Sequence, residues 1–521
     1  MISRSTIVCV LMSCAAPVWA QTSEDAPLSA IDWLSESVEQ PEVLAAAPVL
    51  GTQATRTPDA NEAPVADSAS TPNVSVQTLG GPAPRVLGLL PPSATGLPAD
   101  LWGQSDVTTL IALLQAEQID TLPAIQDLLK TLTLAQANPP IEAATPGAFF
   151  TARIDKLLEF GALEPAQAML ESAGADTPEL LRRWFDVSLL TGTEDGVCRA
   201  LRDQPDIAPT PSARIFCLAR SGDWSAAALT LNTGLALGDI DAPTGALLAR
   251  FLDPDLYEGE PELDAPTRVT PLTFRMFEAI GSSLTTVGLP RAFAHADLRA
   301  NVGWKGQLEA AERLARAGAI SDNALIGLYT ARVAAASGGV WERAKAVSRV
   351  RAALVDGNGD DMLFVLNNLW DETQAVGVTV PLARHFAPDL MTSTLADRRS
   401  DAVMFKLLLL SDHYEDAALI DAFAQTDPFL AAVARGDPSQ AHAGRGQYPL
   451  VRDAFAADPD ATLVEMAANG RTGEAILRSI ATLQQGIDGD QVAFKEGFAT
   501  LRALGLEDVA RRTALQYLLL E

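Results

Sequence analysis

From about residue 105 onward, apolar side chains recur at intervals of three and four, the spacing of one face of an α-helix. Leu110, Leu113 and Leu114, then Ile119, trace one such stretch. Pro123 suits a first helical position and opens the next, with Ile125, Leu128, Leu129 and Leu132 on one side. Runs of alternating β-branched residues are nearly missing, so no sheet is expected. Gly, Pro or Asp breaks the pattern every 10–20 residues. The expected fold class is all-α, an irregular αα-hairpin repeat of TPR-like α-solenoid type.

A weak internal repeat supports that expectation. Five times a Gly or Asp is followed five residues later by Ala inside a new apolar stretch: Gly161/Ala166, Gly222/Ala227, Gly339/Ala344, Asp412/Ala417 and Gly470/Ala475. The first residue would close a turn, and the small Ala would let neighbouring helices approach closely. The full 34-residue tetratricopeptide pattern is not sustained. An acidic stretch with Pro254, Pro261, Pro266 and Pro271 divides the repeat region, so the expected parts are residues 105–260 and 272–521.

The amino-terminal fifth differs. In residues 1–20, Arg4 precedes an apolar run and Val18-Trp19-Ala20 offers small residues for cleavage, a secretory signal. The mature chain is therefore expected outside the cytoplasm, in the periplasm, with no stable membrane span. A competing lipoprotein reading at Cys14 suffers from Met12 in the lipobox. Residues 21–104 are rich in Ala, Pro, Thr, Ser and Gly, a composition that buries too little surface to offset ordering entropy, and are expected to form a disordered arm. Two apolar islands interrupt it. In residues 28–38, Leu28, Ile31, Trp33, Leu34 and Val38 form a short amphipathic motif suited to docking in a groove, on a partner or on the chain's own body. Val86 to Trp102 suits an extended segment lying on a surface.

Cysteine usage fits export. Cys9 and Cys14 leave with the signal, and Cys198 and Cys217 remain, each in a helical pattern, with Pro205, Pro209 and Pro211 forcing a turn between them. Two antiparallel helices joined there would bring the thiols together, and a disulfide is expected. The chain carries 38 Lys and Arg against 66 Asp and Glu, net −28. That charge excludes a nucleic-acid binder, which needs a positive stripe, and docking on anionic lipid.

Motifs for chemistry are sparse. No nucleophile elbow, phosphate loop, zinc motif or dinucleotide fingerprint appears, and no cofactor is expected. The four histidines are not paired at ligand spacing, and His295 reads as structural. Asp356, Asn358 and Asp360 place oxygens at alternate positions as calcium loops do, but Asp361 stands where Gly is wanted and Asn367 where the bidentate Glu belongs, so a solvated turn is the better reading.

The stretches Ala26-Pro27-Leu28-Ser29-Ala30-Ile31-Asp32-Trp33-Leu34-Ser35, Gly96-Leu97-Pro98-Ala99-Asp100-Leu101-Trp102-Gly103 and Ala213-Arg214-Ile215-Phe216-Cys217-Leu218-Ala219-Arg220 resemble a family of exported alphaproteobacterial proteins labelled antifreeze glycopeptide polyproteins. The label implies arrays of Ala-Ala-Thr, which here occurs at Ala143-Ala144-Thr145 without an array. The resemblance brings no catalytic residues. In general form the helical part also resembles the superhelical domain of periplasmic lytic transglycosylases, without their Glu-bearing catalytic domain. The expected role is a non-enzymatic periplasmic scaffold or adaptor for a protein partner, with the envelope or division machinery as the partner class. The alternative is a peptidoglycan-associated enzyme or a regulator of one.

Overall fold

The computed structural model describes residues 31, 33–34, 86–140, 147–175, 177–356, 362–392 and 400–520. Twenty-six α-helices and three 3₁₀ turns make up the secondary structure of these residues. They contain no β-strand, only an isolated bridge between Leu90 and Ala135. The all-α expectation holds, and successive helices from Ala148–Phe160 to Ala242–Leu252 each pack against the next in chain order. No helix among the described residues is long and apolar enough to cross a membrane.

The weak repeat has a structural basis at all five positions. Gly161, Gly222, Gly339 and Gly470 take left-handed φ values of 79°, 83°, 56° and 79°, a conformation that disfavours a side chain. Asp412 occupies the turn after the helix Asp401–Leu409. Five residues on, Ala166, Ala227, Ala344, Ala417 and Ala475 are each at most 1% exposed. A larger side chain there would push neighbouring helices apart.

The body closes on itself. The helices Val107–Ala116 and Pro123–Leu134 pack against helices from the far end of the chain, Thr472–Ile487 and Glu507–Leu520. The Gln104 N–H donates to the Gly470 carbonyl at 3.0 Å and the Gly473 N–H to the Leu101 carbonyl at 2.7 Å. The Ala124 N–H donates to Gln516 Oε1 at 2.8 Å. Lys130 Nζ reaches the Gly318 carbonyl at 3.0 Å, and Arg384 reaches Asp127 at 2.5 Å. One apolar core therefore runs from Trp33 to Leu519. A second, from Leu181 to Phe277, contains both cysteines. It straddles the proline-rich segment after Asp253, because the helix Pro271–Ala279 returns to Pro178–Thr191.

The folded body reaches further toward the amino terminus than composition suggests. The Leu89 and Leu90 N–H groups donate to the Leu134 carbonyl, and the Gln136 N–H to that of Leu90. The buried Arg153 guanidinium gathers the carbonyls of Leu87, Thr133 and Ala135 at 2.9, 2.8 and 2.7 Å. Burial pushes the Arg153 pKa down to about 10. Trp102 is 1% exposed, edge-on to Phe149 at 4.7 Å. Gly473 lies so close that a Cβ there would strike the indole. Leu97, Leu101 and Trp102 thus enter the core, while Val86 and Leu89 stay exposed and the residues between run along the surface.

Candidate functional site

Of the predicted docking motif, Ile31, Trp33 and Leu34 are described, and Leu28 and Val38 lie outside the described residues. Trp33 and Leu34 are buried on the chain's own body, at 8% and 1% exposure. The indole stands edge-on to Phe293 at 5.7 Å, and Phe293 is backed by Phe274 at 5.5 Å. The Leu34 carbonyl accepts from Arg268 Nη2 at 3.2 Å, and the Leu34 N–H donates to the Ile31 carbonyl at 3.3 Å.

Beside this segment opens a cavity of about 1010 Å³. Ile31 and Trp33 form one edge. The helix Ala148–Phe160 contributes Asp155, Lys156 and Glu159. Arg268, Arg291, Arg313 and Arg316 come from four points before, within and after the segment that joins the helices Pro271–Ala279 and Trp304–Ala315.

The carboxylates of this cavity are committed. Asp155 is held by Arg183 through two bonds, at 2.6 and 2.8 Å. Glu159 pairs with Lys156 at 2.7 Å and Asp120 with Arg291 at 2.5 Å. Arg313 and Arg316 form no ion pair among the described residues. Arg313 donates to the carbonyls of Thr286, at 2.9 Å, and Leu289, and Arg316 to that of Val376 at 3.0 Å. Burial lowers the Arg313 pKa, and the neighbouring charges of Arg291 and Arg316 push in the same direction, against Asp297. Arg291 Nη1 is buried without an acceptor among the described residues. Like charges crowded into a half-buried wall leave favourable electrostatics for an anion. With Trp33 and Leu289 adjacent, the arrangement can hold a ligand that is both anionic and apolar.

A second recess, about 460 Å³, is lined by Asp127, Asp322, Asp412 and Asp508 with Arg384 and Arg512. Burial works to raise the Asp127 pKa, but Lys130 and Arg384 outweigh it and hold the carboxyl low. Burial raises that of Asp322. Arg512 binds Asp412 at 2.8 Å and Asp508 at 3.0 Å, so most of these charges are neutralised within the recess.

The remaining predicted residues separate clearly. Cys198 and Cys217 form a disulfide, Cα to Cα 5.0 Å, between the helices Glu194–Asp203 and Pro211–Arg220. His295 is buried, with Nε2 2.7 Å from the Gly161 carbonyl, and burial lowers its pKa. A neutral ring donating Nε2–H to that carbonyl explains it as a structural tie between a turn and a helix. Asp356 ends the helix Val340–Asp356, whereas Asn358 and Asp360 of the candidate calcium loop lie outside the described residues. No group of three or more metal-ligating side chains occurs among the described residues.

Sequence reasoning missed the arginine wall. Its residues fall at positions 268, 291, 313 and 316 with no local spacing to mark them, and the acidic total hides them. Their one local signal is the pair Arg313 and Arg316, three apart and therefore on neighbouring positions of one helical surface. Comparison of the chain with family models, with curated proteins and with solved structures finds no match.

Proposed function

We propose that the chain is an exported, non-enzymatic helical-repeat adaptor that holds a protein partner outside the cytoplasm, in the envelope or division machinery. The observation that carries this reading is the arginine-walled cavity beside Trp33. It pairs cationic donors with an apolar edge, which is binding chemistry. The signal-like residues 1–20 and the Cys198–Cys217 bridge support an oxidising compartment. The test is affinity purification from native envelope with the intact chain and with Arg316→Glu, followed by mass spectrometry. Arg316 is exposed, so charge reversal there leaves the core alone. A partner enriched by the intact chain and lost with the variant is expected, and equal recovery from both overturns the reading.

The rival is an enzyme acting on peptidoglycan. Such chemistry wants one carboxylate ionised and another kept neutral across the scissile bond. Asp127 and Asp322 have opposed shifts, but Asp127 is bound by both Lys130 and Arg384. Released muropeptides from purified sacculi, abolished by Asp322→Asn, would replace the adaptor reading.

A further inference from the structure

We infer that the cavity is a receptor for an acidic polypeptide segment with an aromatic anchor, and that Ile31, Trp33 and Leu34 of the same chain are its resident competitor. The inference rests on the adaptor reading and names the chemistry of the partner.

Three observations converge. First, the resident segment touches the cavity without filling it: Trp33 and Leu34 are buried, yet about 1010 Å³ remains beside them. Second, the wall is cationic in a chain of net charge −28. Lys156 and Arg291 are matched by Glu159 and Asp120, and Asp155 by Arg183 from outside the wall, while among the described residues Arg313 and Arg316 donate only to backbone carbonyls. Third, the sequence around the resident anchor has the complementary charge. Glu24, Asp25, Asp32, Glu36, Glu39 and Glu42 flank Trp33 in sequence, and no Lys or Arg occurs between Arg4 and Arg56. The chain thus carries, next to the cavity, an example of the ligand that the cavity suits.

Displacement requires Trp33 and Leu34 to leave their buried berths and Arg268 to release the Leu34 carbonyl, in a segment separated from Val86 by 51 residues. Covalent attachment gives the segment a local concentration advantage, so an outside ligand must offer more contacts to win. A segment whose acidic groups reach Arg313 and Arg316 would do so. Binding would then release residues 31–34 from the body.

The test uses the purified chain from Gln21 onward and a fluorescein-labelled synthetic peptide with the sequence of residues 24–42, followed by anisotropy at low salt. The Trp33→Ala/Leu34→Ala chain, whose own segment is weakened, is expected to bind the peptide about tenfold more tightly than the intact chain. Adding Arg316→Glu to that chain should weaken binding by about tenfold, and a peptide with every Asp and Glu replaced by Asn and Gln should bind equally poorly to both. Arg316→Gln serves as the milder variant, with far-UV circular dichroism confirming that each protein is folded. Equal affinity for the intact and Trp33→Ala/Leu34→Ala chains overturns the competition. Equal affinity for the acidic and amide peptides overturns the ligand assignment. The titration contains no envelope material, so its outcome is independent of whether affinity purification recovers a partner.

Discussion

Gln516 caps the helix Pro123–Leu134 from 392 residues beyond Ala124, its Oε1 accepting the buried Ala124 N–H at 2.8 Å. The helix Pro123–Leu134 has Leu122 at its N-cap, a residue with no side-chain acceptor, so the last helix supplies what the local sequence lacks. Gln516→Ala should cost about 1–3 kcal/mol, because the donor stays buried when its acceptor goes. Urea denaturation measures it, and a change within error would mean that another acceptor takes over.

Glu117 should make stability fall as pH rises. Its side chain is buried, Oε1 has no partner among the described residues, and burial lifts its pKa from 4.5 to about 8 against the opposing charge of Lys156. Between these values the unfolded chain has lost a proton that the folded chain keeps, so stability declines across this window and levels off above pH 8. The total effect is on the order of 5 kcal/mol, about 3.5 pH units at about 1.4 kcal/mol per unit. Glu117→Gln should flatten the profile between pH 5 and 8, read from urea midpoints at several pH values. A variant with the same slope as the parent would assign the effect to another group.

Arg183 and Asp155 form a buried two-bond ion pair joining the helices Pro178–Thr191 and Ala148–Phe160. Arg183→Met strands a buried carboxylate and should cost about 3–5 kcal/mol. Arg183→Met combined with Asp155→Leu should recover a large part of that loss, since an apolar pair needs no compensation. Chemical denaturation of the two variants decides, and strict additivity of the single changes would contradict the coupling.

The Cys198–Cys217 bridge spans 19 residues and staples the second core. Cys198→Ser/Cys217→Ser should lose about 3 kcal/mol by the loop-entropy argument. Thermal scans with and without reductant test this, and an unchanged midpoint on reduction would show that packing alone holds the hairpin.

Local features were legible in sequence, and distant ones were not. The cysteine hairpin and the five turn-to-alanine pairs depend on residues a few positions apart, so their chemistry appears in one window. The apolar island from Val86 to Trp102 is visible in sequence, but the hold of Arg153 on Leu87 and the burial of Trp102 against Gly473 are not. Trp33 was recognisable as an anchor, while its berth against Phe293 depends on a residue 260 positions away. The cavity required four arginines that only the tertiary arrangement collects. Closure of the array was equally hidden, because nothing near Ala124 announces Gln516.

That closure has a bearing on biosynthesis. A polypeptide made from its amino terminus cannot complete the environment of the helices Val107–Ala116 and Pro123–Leu134 until the helices Thr472–Ile487 and Glu507–Leu520 have been made. Its assembly is therefore deferred until those late helices have emerged, and a nascent chain truncated before Thr472 would leave its early helices with an exposed apolar flank for chaperones or proteases to find.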